Sequence, residues 1–158
     1  MKPIIRPFVQ ADREAAVELF LQLNRHEFGI TGDRHTDRGG AEFCVEDMIL
    51  AIEQGAVALV AEAGGSVVGL VVWAARMDEA YMTETARRHG SVQDIVIAEA
   101  HRGKGLGQAL LAEAERLTRE AGMTRLKLTV LAGNDGAEAA YRRFGFRHYA
   151  TTMVKDLD

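Results

Sequence analysis

The sequence has one cysteine, Cys44, and only two prolines, Pro3 and Pro7, in 158 residues. A lone thiol can neither close an intramolecular disulfide nor build a cysteine-based zinc site, and within Glu42-Phe43-Cys44-Val45 it reads as a small apolar position. Long hydrophobic runs are also missing. The longest, residues 69–75, falls far short of the ~20 residues that span a bilayer. The charged, proline-broken start holds no apolar run of signal-peptide length. Nor is there a basic excess: 19 Lys and Arg stand against 23 Asp and Glu, a net charge of −4. No chain-wide cationic field would draw a phosphate polymer. These shortages argue against membrane and nucleic-acid partners and leave a soluble protein of a reducing compartment, most simply the cytoplasm.

What is present suits one globular domain over residues 1–158, since hydrophobic residues make up 47% and a chain of this size buries roughly 68–70% of its unfolded surface. Residues 2–6 read as a short strand. Asp12 then caps a helix carrying Ala16, Leu19, Phe20 and Leu23 at helical spacing and ending near Asn24. Residues 25–41 hold many glycines and charges and read as a loop. A second helix over 45–54 presents Val45, Met48, Ile49 and Ile52 and stops at Gly55. Two valine-rich strands between 56 and 75 flank the turn Gly64-Gly65. A polar loop over 77–90 leads to a central strand over 91–98. A long helix with Leu106, Leu110, Leu111, Ala114 and Leu117 on one stripe runs to Ala121. A strand over 125–131 and a helix opened by Asn134-Asp135 and ended by Gly145 follow, with one or two closing strands expected over 146–157. The order is that of a single α/β (α+β) domain.

Between the central strand and the long helix lies Arg102-Gly103-Lys104-Gly105-Leu106-Gly107. A strand turning through glycines into a helix points free backbone N–H groups and the positive end of the helix dipole at one spot, which suits a phosphate. Arg102 and Lys104 add positive charge beside it. Two familiar phosphate loops fail on spacing. The dinucleotide fingerprint needs glycine where Gln108 stands, and the P-loop needs glycine at Ala98 and a hydroxyl residue at Gly105.

The pattern that fits is R-x-x-G-x-G, which resembles the acetyl-CoA loop of the GNAT superfamily of N-acetyltransferases. The strand Asp94-Ile95-Val96-Ile97, the spacer 98–101 and the downstream Asn134-x6-Tyr141-Arg142-Arg143-Phe144-Gly145-Phe146 fall at that family's spacings. The resemblance covers residues 92–146; Ala98 departs from it, standing where many members have proline. It implies a GNAT-like mixed, mostly antiparallel central sheet of 6–7 strands flanked by about four helices. It further implies acetyl-CoA as cosubstrate, no metal, and transfer of the acetyl group directly to a primary amine of a small molecule or peptide. A non-catalytic acyl-CoA sensor or interaction module is the alternative.

By the same resemblance Ile95, Val96 and Ile97 would offer backbone hydrogen bonds to the pantetheine arm, with the Ile97 N–H polarising the thioester carbonyl. Arg102, Gly103, Lys104, Gly105, Leu106, Gly107 and Gln108 would hold the pyrophosphate, and Asn134 would contact the CoA arm. Tyr141 is the candidate general acid, since a phenol stays protonated at neutral pH. Residues alone leave other readings open: a core position for Tyr141, a helix cap for Asn134, a buried strand for 95–97. Asp94 is the candidate base, or else a solvated strand residue with water carrying the amine proton. Members of polyamine type carry an acidic pair here, and Gln93 replaces its first member.

The acceptor would be bound by the two loops. Glu27, Asp33, Asp37, Glu79 and Glu84 suit a cationic amine, and Arg34, Arg38, Arg87 and Arg88 a carboxylate. His26-Glu27 begins like a metalloprotease motif, but Ile30 stands where the second histidine is needed. His35, His89, His101 and His148 lack ligand spacing and read as surface or loop residues. A homodimer through a strand edge near the C-terminus is possible on this reading.

Overall fold

A computed structural model describes residues 2–158. Its elements run β1 (Ile4–Pro7), α1 (Arg13–Thr31), α2 (Arg38–Glu53), β2 (Val57–Ala63), β3 (Ser66–Met77), α3 (Glu84–Arg87), β4 (Arg88–Ile97), α4 (Leu106–Glu120), β5 (Leu126–Lys127) and α5 (Asp135–Phe144). Two 3-10 turns, Gln10–Asp12 and Glu99–His101, precede α1 and α4. The strands form one sheet in the order β1-β2-β3-β4-β5. Every neighbouring pair is antiparallel except β4 with β5, which is parallel.

The valine-rich runs become β2 and β3 because β-branched side chains suit a pleated surface. Gly64 and Gly65, at φ 60° and 80°, turn one into the other. Side-chain alternation then divides the core. Val60, Leu70, Val72 and Val96 face α1 and α2, meeting Ala16, Val17, Leu19, Phe20, Val45 and Met48. Ala61, Val68, Val71, Trp73 and Val92 face the other way, onto Leu106, Leu110, Leu111 and Ala114 of α4. Each fully buried Leu, Val or Phe contributes about 1.5–3 kcal/mol relative to exposure.

One close approach governs how α4 sits. A Cβ on Gly90 would stand 2.1 Å from Thr118 Oγ1 and 2.6 Å from Trp73 Nε1. The indole N–H donates to that hydroxyl at 2.9 Å, and the hydroxyl donates to the Ala114 carbonyl at 2.8 Å. Only glycine leaves room for this buried chain, at the point where the Gly90 N–H also donates to the Arg125 carbonyl of the chain entering β5.

Several expectations are corrected. Among the described residues the sheet has five strands rather than six or seven, and five α-helices rather than about four accompany it, α3 being a single turn. Residues 25–41 are mostly helical. α1 continues to Thr31 and ends on Gly32 at φ 71°, and α2 starts at Arg38, with the Asp37 carboxylate accepting from the Gly40 N–H at 2.9 Å. Charges that looked like loop character are paired: Arg34 with Glu27 at 2.8 Å, Arg38 with Glu14 at 2.7 Å and with Glu42 at 2.8 Å. Asp12 does stand at the N-cap of α1, but its side chain makes no cap bond there; the carboxylate accepts from the Val9 N–H at 2.9 Å and pairs with Arg6 at 2.7 Å, which holds it below the usual carboxylate range. The segment 77–90 is shorter as a loop than expected, because β3 runs to Met77 and β4 begins at Arg88. Of 125–131, only Leu126–Lys127 is a strand, since β4 pairs with nothing beyond Lys127. No strand forms over 146–157, whose residues find no backbone partner past the Phe146 N–H.

Candidate active site

β4 is paired very differently on its two sides. Toward β3 the ladder runs from Arg88 to Ile97, while toward β5 it consists of Gly90 opposite Leu126 and Ser91 opposite Lys127. Beyond Ser91 the two strands part. From Val92 to Ile97, therefore, one edge of a central strand has no strand beside it, and its backbone can receive an extended ligand. The register against β3 also slips between Val72 and Trp73, which face Asp94 and Val92. The extra residue is Gln93, so Gln93 and Asp94 both line the cleft toward α2.

The edge ends at the glycine loop. Gly103 and Gly105 have φ 74° and 81°, a region costly for any residue with a Cβ. A Cβ built on Gly103, Gly105 or Gly107 meets nothing within 4 Å, so open space lies over the loop. Gly105 is the N-cap of α4, with no side-chain cap and no acidic residue in the first turn. The first-turn N–H groups, those of Leu106, Gly107 and Gln108, thus have no intrahelical partner, which fits an anion. Arg102 Nε donates back to the Ile97 carbonyl at 3.3 Å and Lys104 Nζ to the Ala100 carbonyl at 3.0 Å, bracing the loop. The Gln108 side chain donates to the Ala140 carbonyl at 3.2 Å, tying α4 to α5.

On the α4 side of the sheet, half-buried Ile95 and Ile97 pack in the same cluster as Tyr141 and Phe144 of α5 and Phe146 after it. Val96 points the other way, into the core under α1 and α2. Tyr141 lies edge-on to Phe146, with ring centroids 6.1 Å apart. Burial, and secondarily the charge of Glu27, push its phenol pKa up, so it holds its proton at neutral pH. Asn134 occupies the N-cap position of α5, yet its side chain caps nothing. Its Oδ1 stands instead 3.3 Å from His26 Nε2 of α1. Gly133, at φ 95°, passes close to Ile30 of the same helix. The last turns of α1 thus lean on the approach to α5.

Asp94 faces the opposite side. It lines a cleft of about 320 Å³ with Asp47, Met48, Leu50 and Ala51 of α2, Gln54 just after it, and Val72, Arg76 and Gln93 of the sheet. Burial first, then the charges of Glu27 and Asp47, push the Asp94 carboxyl up to about 6. No hydrogen bond to a protein group offsets this, in contrast to the paired carboxylates elsewhere. Glu27 bears on both Asp94 and Tyr141, so the two candidates on opposite faces of β4 share one electrostatic neighbour. Asp47 was missed in the sequence; the available signal was an acidic residue bordering the apolar stripe of α2.

Other expectations resolve as follows. Arg34, Arg38 and Arg87 are engaged in intramolecular ion pairs. His89 is a buried strand residue, not a loop one, with Nδ1 3.2 Å from the Arg87 carbonyl and 3.6 Å from Asp78. Cys44 is half-buried against Asn24 and its thiol is pushed up by burial, which disfavours the nucleophilic thiolate. Among the described residues no group of three His, Cys, Asp or Glu could hold a metal, and no helix is long and apolar enough to cross a membrane.

Comparison with known proteins agrees with this geometry. A 56-residue stretch is 45% identical to the streptothricin acetyltransferase of Streptomyces lavendulae, covering 35% of this chain and 30% of that protein. The chain thus matches under a third of that relative's length. Among solved structures, the aminoglycoside antibiotic 6'-N-acetyltransferase of Acinetobacter haemolyticus superposes with a TM-score of 0.71 at 22% identity, covering 98% of this chain and 99% of that one. An aminoglycoside 6'-N-acetyltransferase in complex with a CoA-containing bisubstrate analogue superposes with a TM-score of 0.75 at 15% identity, covering 100% and 99%. The model of the acetyltransferase (GNAT) family matches residues 9–146, most of the chain, and the protein belongs to that family.

Proposed function

We propose that the protein is an acetyl-CoA-dependent N-acetyltransferase that moves the acetyl group directly to the primary amine of a small molecule. The observation that carries this reading is the open edge of β4, with the glycine loop at its end, a raised carboxylate on one side and a protonated phenol on the other. The open backbone from Val92 to Ile97 would hold the pantetheine arm, and the uncapped first turn of α4 the pyrophosphate. Acetyl-CoA supplies an activated acetyl group as its thioester.

The chain's residues supply the rest. A carboxyl at about 6 is largely ionised at neutral pH and remains basic enough to take a proton from an ammonium approaching through the α2 cleft. In this reading the Ile97 N–H would stabilise charge developing on the thioester oxygen, and Tyr141 would protonate the departing thiolate. Asp47 beside Asp94 favours a cationic acceptor. The aminoglycoside and streptothricin enzymes it resembles act on small amines, which supports the same class here. Half-buried Cys44, with its raised thiol, argues against an acyl-enzyme.

The test is incubation of the protein with labelled acetyl-CoA and a panel of amines, including aminoglycosides. Label should appear on an amine and free CoA should accumulate in equal amount. CoA binding without transfer to any amine would replace this reading with an acyl-CoA sensor.

A further inference from the structure

We propose that the cleft beside Asp94 takes a ligand that carries an anionic group as well as an amine, and that Arg76 is the residue that reads the anion. The inference rests on the reading of this cleft as the acceptor site and goes further by naming the substrate class: an amino acid or an aminoalkyl phosphate, rather than a polycation.

The bulge in β4 sets the arrangement. Arg76 lies on the same face of β3 as Val72, the face toward α1 and α2. In the ladder it stands opposite His89, well short of Asp94. Its side chain nevertheless lies back along the sheet, because Nη2 donates to Gln93 Oε1 at 3.0 Å. The Gln93 amide is fixed in turn, its Nε2 donating to Ser91 Oγ at 2.6 Å. Ser91 and Gln93 thus hold the guanidinium against the residue next to Asp94.

What holds Arg76 is neutral. An amide oxygen accepts a hydrogen bond without cancelling charge, and among the described residues Arg76 makes no ion pair. Arg34, Arg38 and Arg87, by contrast, each meet a carboxylate. Asp47 and Asp94 line the same cleft and are not paired with a cation either. One cleft therefore holds acidic groups and a guanidinium that do not neutralise each other. A ligand with both charges satisfies both, its ammonium beside Asp94 and its anion on the Arg76 Nε and Nη1 hydrogens, which no protein group takes up. A guanidinium grips a carboxylate or a phosphate through two parallel N–H bonds, so the anion also fixes which way round the ligand lies. Reversed, it would set like charges together at both ends, and a diamine would leave its second ammonium against Arg76.

Steady-state kinetics with matched series tests this. The series are ω-amino acids from γ-aminobutyrate to ε-aminocaproate, aminoalkyl phosphates of the same span, and alkylamines and α,ω-diamines of equal length. One anionic series should exceed the alkylamines in kcat/KM by about tenfold or more, the worth of a hydrogen bond between charged groups, with the diamines lowest. Whichever anionic series leads identifies the group as carboxylate or phosphate. Arg76→Gln should bring that ratio down to about one by raising KM, with CoA affinity retained as the sign of a folded protein. Gln93→Glu places a carboxylate on Arg76 and should turn the order toward the diamines. Alkylamines or diamines that match both anionic series in the parent, or an order unchanged in either variant, overturn the proposal and leave acetyl transfer standing. If no amine is acetylated, acetyl transfer falls and binding decides the rest. The same compounds are then titrated against the Arg76 Nε–H resonance, assigned by its loss in Arg76→Gln. A saturable shift with an anionic amine and none with the alkylamine supports Arg76 as the reader of the anion; no such shift overturns it.

Discussion

The two faces of β4 are built by different means. On the α4 side, the half proposed to hold the donor is backbone: an unpaired strand edge, glycines at positive φ and an uncapped helix turn. On the α2 side, the half proposed to hold the acceptor is side chain: Asp94, Asp47, Gln54, Gln93 and Arg76 around a cleft. Backbone elements recognise what never varies in a CoA thioester, while side chains can be exchanged to suit an amine without disturbing the fold. Altering the first half should therefore damage donor binding for every acceptor. Altering the second should leave donor binding intact.

The largest effect should come from Asp94→Asn. If Asp94 removes the amine proton, kcat/KM at pH 8 falls by on the order of 10²–10⁴, with the CoA dissociation constant unchanged. The parent should lose activity on acidification through about pH 6, and the variant should lack that limb. A drop of only a few fold would assign the proton to water. The same substitution should stabilise the fold. The Asp94 carboxyl rises from 3.8 to about 6 on folding, so the native state binds its proton more tightly than the unfolded state. This group's contribution is most favourable below about pH 4, falls as pH rises toward 6, and is flat above. The cost at pH 8 is about 3 kcal/mol. Urea titrations should show the variant more stable than the parent at pH 8, with that difference closing below pH 4.

Tyr141→Phe probes the opposite face. It keeps the packing on Phe146 and removes one proton, so kcat should fall about 10²-fold, toward the low end because water can partly replace a phenol. CoA affinity should stay within about twofold, the loss of one weak hydrogen bond at most. Gly105→Ala inverts this pattern. A Cβ at φ 81° costs about 1–2 kcal/mol of stability and intrudes on the space over the loop. CoA should bind about tenfold more weakly, a penalty of the same size as that strain, while the amine KM holds. A rise in amine KM alone would break the division between the halves.

The same division explains what could be read from the sequence. The glycine loop, β4 and the Asn134 to Tyr141 spacing are local patterns, and their placement follows from propensity and turn chemistry. The cleft beside Asp94 is not local: Asp47 and Asp94 come from two elements and Glu27, whose charge bears on Asp94, from a third, and they acquire meaning only when packed. Residues 25–31 were misread because glycine and charge density suggest a loop, whereas ion pairs such as Arg34 with Glu27 satisfy those charges on a helix. The closing strands over 146–157 failed for a different reason. Strand propensity says what a segment can do, and a strand exists only where an edge receives it.

The smallest expected effect concerns Asn134, where the two halves touch. His26 Nε2 is 3.3 Å from Asn134 Oδ1, a long and exposed contact worth about 0.5 kcal/mol. If Asn134 serves the CoA arm, Asn134→Ala should weaken CoA binding by about threefold to tenfold, the value of one hydrogen bond. His26→Ala should leave CoA binding alone, because the histidine would only share the amide. If instead Asn134 serves to dock the end of α1, both variants should have the same small effect and the double variant should add nothing to it. A double-mutant cycle on CoA affinity separates the cases. Equal single effects without additivity would move Asn134 from the donor half of the site to the scaffold that holds α1 against α5.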